Sequence, residues 1–326
     1  MDTLDPVLFK RLTAPGPRVP GIIDWLLHEV WSPERYQNLS PVEFLREGEG
    51  KINRFELLVS SAADRIYGEL LSPPDPSKNL LSVLSDPETA VVVFDGLSLR
   101  EIPMVLALAE RSGLPVSPVG TSQAAIPSET INFIDRELPC GPIAPSQLPT
   151  RKELKAKGIV MFYNGDITQP LSGEHEGSPL LVWSSFPDVT YKDSGAKFES
   201  HFENIHVLFE TAWMNIVQSI KGKNRIIITS DHGYIFFGTG MDFPRSTPQL
   251  KELNDYFGND RNVSLQGKSA PPLSDDLFIV QSQNLAMVKG RVRTRSTGEA
   301  ARKLYRHGGL SLMEMITPWI ELEGNQ

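Results

Sequence analysis

The chain is poor in cysteine. Cys140 is the single one among 326 residues, which excludes an internal disulfide and suits a reducing compartment. It also lacks any apolar run long enough to cross a bilayer, and no basic flank followed by an apolar core opens the sequence. Neither membrane insertion nor export is therefore expected, and a cytoplasmic location is. Positive charge is not in excess either: Lys and Arg total 32 against 40 Asp and Glu, a net −8. That excludes general coating of nucleic acid, so an anionic substrate must be attracted locally. Repeats and low-complexity tracts are absent. What is present, 40% apolar and 22% charged residues over a length that allows a sizeable core, is ordinary for a catalytic protein.

Residues 1–85 read as a helical lead, with pieces over 21–28 and 43–71, heavy proline punctuation, and a linker at Ser72-Pro73-Pro74-Asp75-Pro76. From Thr89 the pattern becomes strand then helix. Apolar runs at 89–94, 114–119, 158–163, 180–183 and 225–230 predict strands, and 99–112 and 196–221 predict helices. That alternation marks a doubly wound, mostly parallel α/β sheet over 86–326. Residues 141–178 and 238–275, rich in Pro, Gly and Ser, read as excursions over the active face.

Three places carry chemistry. Ser230-Asp231-His232-Gly233 follows directly on Arg225-Ile226-Ile227-Ile228-Thr229, Asp95-Gly96-Leu97 follows Thr89–Phe94, and His307-Gly308-Gly309 precedes a helix start. In open α/β sheets the carboxyl ends of strands open onto the ligand crevice, where Asp and His side chains can share one divalent cation. Each has a plainer reading. Asp95 and Asp231 fit helix caps, Thr130 fits the cap of a helix over 131–138, and His307 fits a histidine packed on Tyr305. Arg291, Arg293 and Arg295 alternate as on one strand face, and read either as phosphate holders or as a solvated edge.

Phe94-Asp95-Gly96-Leu97, Thr229-Ser230-Asp231-His232-Gly233-Tyr234 and Tyr305-Arg306-His307-Gly308-Gly309-Leu310-Ser311-Leu312 resemble the signature blocks of the PglZ domain, a branch of the alkaline phosphatase superfamily. Pro127-Ser128-Glu129-Thr130 resembles the family's nucleophile segment, and Lys289-Gly290-Arg291 its Lys-Gly-Arg block. The likeness runs in order from about residue 88 to the end. It implies an alkaline phosphatase-like core in which Asp95, Asp231, His232 and the nucleophile Thr130 share one metal. His307 and Asp188 would serve a second. Zinc is the expected ion, manganese the alternative, with one or two per chain.

At the second position the sequence departs from the pattern. The superfamily places a His four residues after the Asp, where this chain has Lys192; some PglZ domains place it four before, where this chain has Ser184. Lys192 could replace part of the missing charge, His175, His201 or His206 could swing in, or the site could be degenerate. Asp166 rivals Asp188 but reads as a turn aspartate. Arg291 is assigned to substrate or structure at the site, and Arg100 and Arg136, which flank the active loops, are candidate phosphate holders. The resemblance implies a metal-dependent phosphodiesterase acting on a nucleotide or oligonucleotide through Thr130, with possible partners in bacterial phage defence. The alternatives are a catalytically degenerate scaffold or binding subunit, and, within enzymes, phosphotransfer or sulfate-ester hydrolysis.

Overall fold

The computed structural model describes residues 6–59, 64–171, 173, 175–193, 198–238, 240–267, 275–294 and 304–324. Its centre is a six-stranded sheet of β1 (Thr89–Phe94), β2 (Gly120–Gln123), β3 (Val160–Asn164), β4 (Leu180–Ser184), β5 (Arg225–Thr229) and β11 (Ile316–Glu323). The order across it is β3-β4-β1-β5-β11-β2. β3, β4, β1 and β5 run parallel, β11 runs against β5, and β2 runs against β11, so only β11 is reversed. The fold is thus α/β, doubly wound and mostly parallel.

The β-branched run of β1 is buried on both faces, as a central parallel strand requires. Ala90, Val92 and Phe94 enter one core with Val182, Ile228, and Phe209 and Trp213 of the long helix Phe198–Ser219. Val91 and Val93 point the other way and meet Trp183, Phe133, Ile134, Leu148 and Leu154. The lead shares the first core. Trp25, Trp31, Phe44, Ile52 and Phe55 belong to it, and both tryptophans are buried. Its longest helix, Pro41–Val59, packs beside Phe198–Ser219.

Two expected elements differ. The strand over 114–119 is not one: Pro115 and Pro118 offer no ladder donor, Val116 makes only an isolated bridge to Leu322, and the strand begins at Gly120. Nor do Arg291 and Arg293 alternate along a strand, because Gly290 at φ +56° turns the chain out of the sheet, and Arg295 lies outside the described residues. The excursion at 141–178 supplies the edge strand β3, with Leu148 and Leu154 packed beneath the sheet. The later excursion does reach the active edge. Its helix Thr247–Phe257, with a capping box from Ser246 and Gln249, packs on an antiparallel sheet of β7 (Asn262–Ser264), β9 (Leu285–Val288) and β8 (Leu277–Val280). A short antiparallel pair, β6 (Ile235–Phe236) and β10 (Tyr305–Arg306), closes the region.

Candidate metal centre

The topology brings five chain segments to one edge. Asp95 follows β1, Asp188 follows β4, Asp231 and His232 follow β5, Thr130 lies beyond β2, and His307 precedes the reversed β11. Asp231 and His232 are fully buried and Asp95 is nearly so. His232 Nε2 stands 3.4 Å from Asp231 Oδ2, 3.7 Å from Asp95 Oδ1 and 3.3 Å from Thr130 Oγ1, and Thr130 Oγ1 lies 3.5 Å from Asp95 Oδ1. Ligand atoms about 2.0–2.1 Å from a tetrahedral cation stand about 3.4 Å apart. Four of the six edges of such a tetrahedron are therefore drawn by these side chains.

The hydrogen bonds agree with that use. Nδ1 of His232 is 3.0 Å from the Gly233 carbonyl, which only accepts, so the ring proton sits there and Nε2 keeps its lone pair for the centre. Asp231 Oδ1 accepts the Gly96 N–H at 3.0 Å, whereas Oδ2, buried, has no hydrogen-bond partner. An unpaired buried carboxylate oxygen is costly, and a cation between Asp95 and Asp231 would also relieve their mutual repulsion. The Trp183 indole N–H donates to Asp95 Oδ2 at 3.4 Å. Gly96 is at φ +75°, and a Cβ there would stand 3.1 Å from Asp188 Cβ and 3.6 Å from His232 Cε1. The glycine after Asp95 is thus required both by backbone sign and by space. After His232, a Cβ on Gly233 would collide with the Met313 carbonyl oxygen.

Thr130 is the first residue of the helix Thr130–Glu137; the cap position is Glu129, in extended conformation. The helix turns its N-terminus, with its partial positive charge, toward the cluster. His307 stacks on His232, ring centroids 4.0 Å apart and 12° from parallel. Its Nδ1 hydrogen donates to the Ser128 carbonyl at 3.1 Å, and Nε2 faces Asp188 Oδ1 at 3.9 Å. Enclosure of the ring by protein, followed by the neighbouring His232, lowers its pKa although one side is open to solvent, so the neutral form is favoured.

Asp188 and His307 thus stand together, but among the described residues Asp95, Asp231 and His232 form the one group of His, Cys, Asp and Glu close enough to hold an ion. The side chains of Lys192 and His201 lie outside the described residues. His206 is exposed on its helix, and His175 lines a hollow with Lys221 and Lys223 beside Glu88, which precedes β1 at the far edge of the sheet. Asp166 accepts the Thr168 N–H at 2.9 Å in a local turn, as its sequence context predicts.

The three arginines assigned to substrate are elsewhere engaged. Arg100 and Arg291 are buried and bound to Glu49, with Arg291 also on Glu56, both acids belonging to the lead. Arg136 donates to the carbonyls of Ala124 and Gln123, at 2.8 and 2.7 Å, and to Glu137. Arg100 and Arg291 leave one Nη2 each without a hydrogen-bond partner, but both guanidiniums are enclosed by protein and present no face to a solvent-borne phosphate. Sequence reading overlooked other residues. A pocket of about 150 Å³ opens beside His307 and Asp188, walled by Glu129, Tyr191, Tyr305, Arg306 and the loop Asn259–Arg261. Glu129 lies within Pro127-Ser128-Glu129-Thr130, next to the candidate nucleophile; Asn262, which donates to Glu129 Oε1 at 2.6 Å, comes from β7 and carries no local signal.

No family model and no curated protein matches the chain. Solved structures do. Phosphonoacetate hydrolase from Sinorhizobium meliloti 1021 aligns over 71% of this chain and 89% of its own at 12% identity, with TM-scores of 0.37 in complex with phosphonoacetate and 0.39 in complex with phosphonoformate. Murine ectonucleotide pyrophosphatase/phosphodiesterase 5 aligns over 73% of this chain and 88% of its own at 12% identity, with a TM-score of 0.42. Identity and score are both low, and the chemistry proposed below rests on this chain's own residues.

Proposed function

We propose that the chain is a metal-dependent phosphoesterase that cleaves a phosphodiester through Thr130. The observation that carries this reading is the ligand-like spacing of His232 from Asp95, Asp231 and Thr130 and of Thr130 from Asp95, with the buried Oδ2 of Asp231 left without a hydrogen-bond partner. A divalent cation there, zinc or manganese by its mixed N/O donor set, would favour the Thr130 alkoxide and offset charge on the phosphoryl oxygens. Thr130 Oγ1 gives its proton toward Asp95, whose carboxylate accepts from it, and attacks phosphorus in line. A bond from Oγ1 to phosphorus forms as the bond to one ester oxygen breaks, and that oxygen leaves as the alcohol with a proton from solvent. Water then hydrolyses the phosphothreonine ester, releasing the phosphomonoester and restoring the Thr130 hydroxyl. The helix behind Thr130 holds the hydroxyl in place and directs its N-terminal partial charge at the anion.

A diester fits better than a monoester. The pocket presents Glu129, Asp188 and Asp260 against Arg306, while Arg261 is engaged by Glu314, so acids outnumber bases and a singly charged phosphate meets less repulsion than a doubly charged one. A nucleotide or oligonucleotide substrate and phage-defence partners rest on the resemblance to PglZ domains, and a cytoplasmic setting on the single cysteine.

The test is hydrolysis of a chromogenic aryl phosphodiester by wild type, Thr130→Ala and Thr130→Ser, with metal content measured on the same samples. Turnover that follows added zinc or manganese, vanishes in Thr130→Ala and partly returns in Thr130→Ser supports the reading. Metal bound with no turnover on diesters or monoesters would favour a binding subunit.

A further inference from the structure

The helix Pro41–Val59 carries Glu49, Asn53 and Glu56 on one face, at i, i+4 and i+7, and turns that face inward. Both carboxylates are fully buried, far from what an amphipathic helix ordinarily places inside. All four of their oxygens are occupied. Glu49 Oε1 accepts from Arg100 Nε, and Oε2 accepts from Arg291 Nη1 at 2.6 Å. Glu56 Oε2 accepts from Arg291 Nε at 3.0 Å, and Oε1 accepts the Leu312 N–H at 2.9 Å.

What these arginines hold is informative. Arg100 Nη1 donates to Ser98 Oγ at 2.7 Å and to the Tyr234 carbonyl at 2.9 Å, and its guanidinium lies over the Tyr234 ring at 4.2 Å. Ser98 is three residues beyond Asp95, and Tyr234 two beyond His232. One guanidinium therefore fastens the two loops that bear the candidate ligands, and Glu49 fixes that guanidinium. The second arm runs through Arg291 to the Phe236 carbonyl, and through Glu56 to Leu312 in the segment after His307. Asn53 adds a bond to the Gly240 carbonyl at 3.0 Å.

We infer that Glu49 is a positioning residue for the metal centre: from the helical lead, through Arg100 and Arg291, it holds the loops of Asp95 and of Asp231 and His232 at ligand spacing. The lead then belongs to the active site. This rests on the phosphoesterase reading for its catalytic consequence, but not for its structural one. Removal of the Glu49 charge leaves Arg291 with Glu56 alone, and Arg100 loses the carboxylate that aims it at Ser98 and Tyr234.

The experiment compares wild type with Glu49→Gln by hydrogen exchange, by zinc and manganese affinity against a chromogenic chelator, and by kcat and KM on an aryl phosphodiester. Expected in Glu49→Gln is faster exchange confined to 95–101 and 230–236, with the strands over 277–288 unchanged. Metal affinity should fall by about 10- to 100-fold, as when a residue supporting a ligand is lost, and the loss in turnover should appear in kcat rather than KM. If Glu49→Gln does not fold, the combined variant Glu49→Met, Arg100→Met, Arg291→Met, Glu56→Gln removes every charge of the cluster and keeps an acceptor for the Leu312 N–H, a replacement often tolerated. It should fold with the same two loops loosened. Wild-type exchange in those loops together with wild-type metal affinity, in either variant, overturns the inference, as does a uniform loss of protection across the chain. Should wild type bind no metal and cleave no diester, the functional reading fails while loop exchange still decides the role of Glu49.

Discussion

Asp231→Asn offers a sharp trial because it makes opposite predictions with and without metal. The asparagine oxygen keeps the Gly96 N–H bond at the Oδ1 position, and its amide takes the place of the orphaned Oδ2, 3.4 Å from the His232 Nε2 lone pair. Without metal the substitution removes a buried negative charge beside Asp95 and supplies a donor where there was an unmet acceptor. Relief of such a group is worth about 1–3 kcal/mol. At roughly 2.1 cal/mol/K per residue, unfolding entropy for a chain this long is about 0.7 kcal/mol/K, so the variant should melt about 1.5–4 °C above wild type in chelator. With metal at about 100 times its Kd, wild type gains about 2.7 kcal/mol, or about 4 °C, and the variant gains almost nothing. The two melting curves should therefore exchange order when zinc or manganese is added. Calorimetry or fluorescence melting in chelator and in excess metal reads this directly. A variant less stable than wild type in chelator, or an equal metal shift in both proteins, would refute the site.

Gly96→Ala places a Cβ at positive φ against Asp188 and His232, and should cost about 1–2 kcal/mol of stability and weaken metal binding; titration of both properties on one sample checks it. Trp183→Phe removes the donor to Asp95 Oδ2 and should lower metal affinity by about tenfold with little change in fold, measured by chelator competition. Glu101 is buried beneath Tyr234 and Tyr191, and burial, only partly offset by Arg100, pushes its pKa up to about 7 from an ordinary 4.5. Because the folded value is the higher, its contribution is complete below pH 4.5 and is lost as pH rises through 7. That gap of about 2.5 pH units amounts to a fall of about 3 kcal/mol, which Glu101→Gln should flatten in denaturant midpoints taken from pH 4.5 to 8. Survival of the slope in that variant would place its origin elsewhere.

The alternation of apolar runs and periodic helices sufficed for the α/β class, because burial on both faces of a parallel strand leaves a local mark: Thr89–Phe94 and Arg225–Thr229 could hardly be anything else. Asp95, Asp231 and His232 were legible for a related reason. Each stands where a strand ends or a helix begins, a position that sequence reveals, and the topology needed only to gather those ends on one edge. The arginines were another matter. A sequence shows that a guanidinium is available but not whether a carboxylate far away in the chain has already taken it, and Arg100 and Arg291 are claimed by Glu49, 51 and 242 residues distant. The same holds for Asn262 beside Glu129 and for a helical lead whose buried acids reach, through Arg100, the loops after Asp95 and His232. Local pattern determined the elements and the donor atoms at their ends; long-range pairing, which leaves no mark on the residues between, decided which charges remain free to do chemistry.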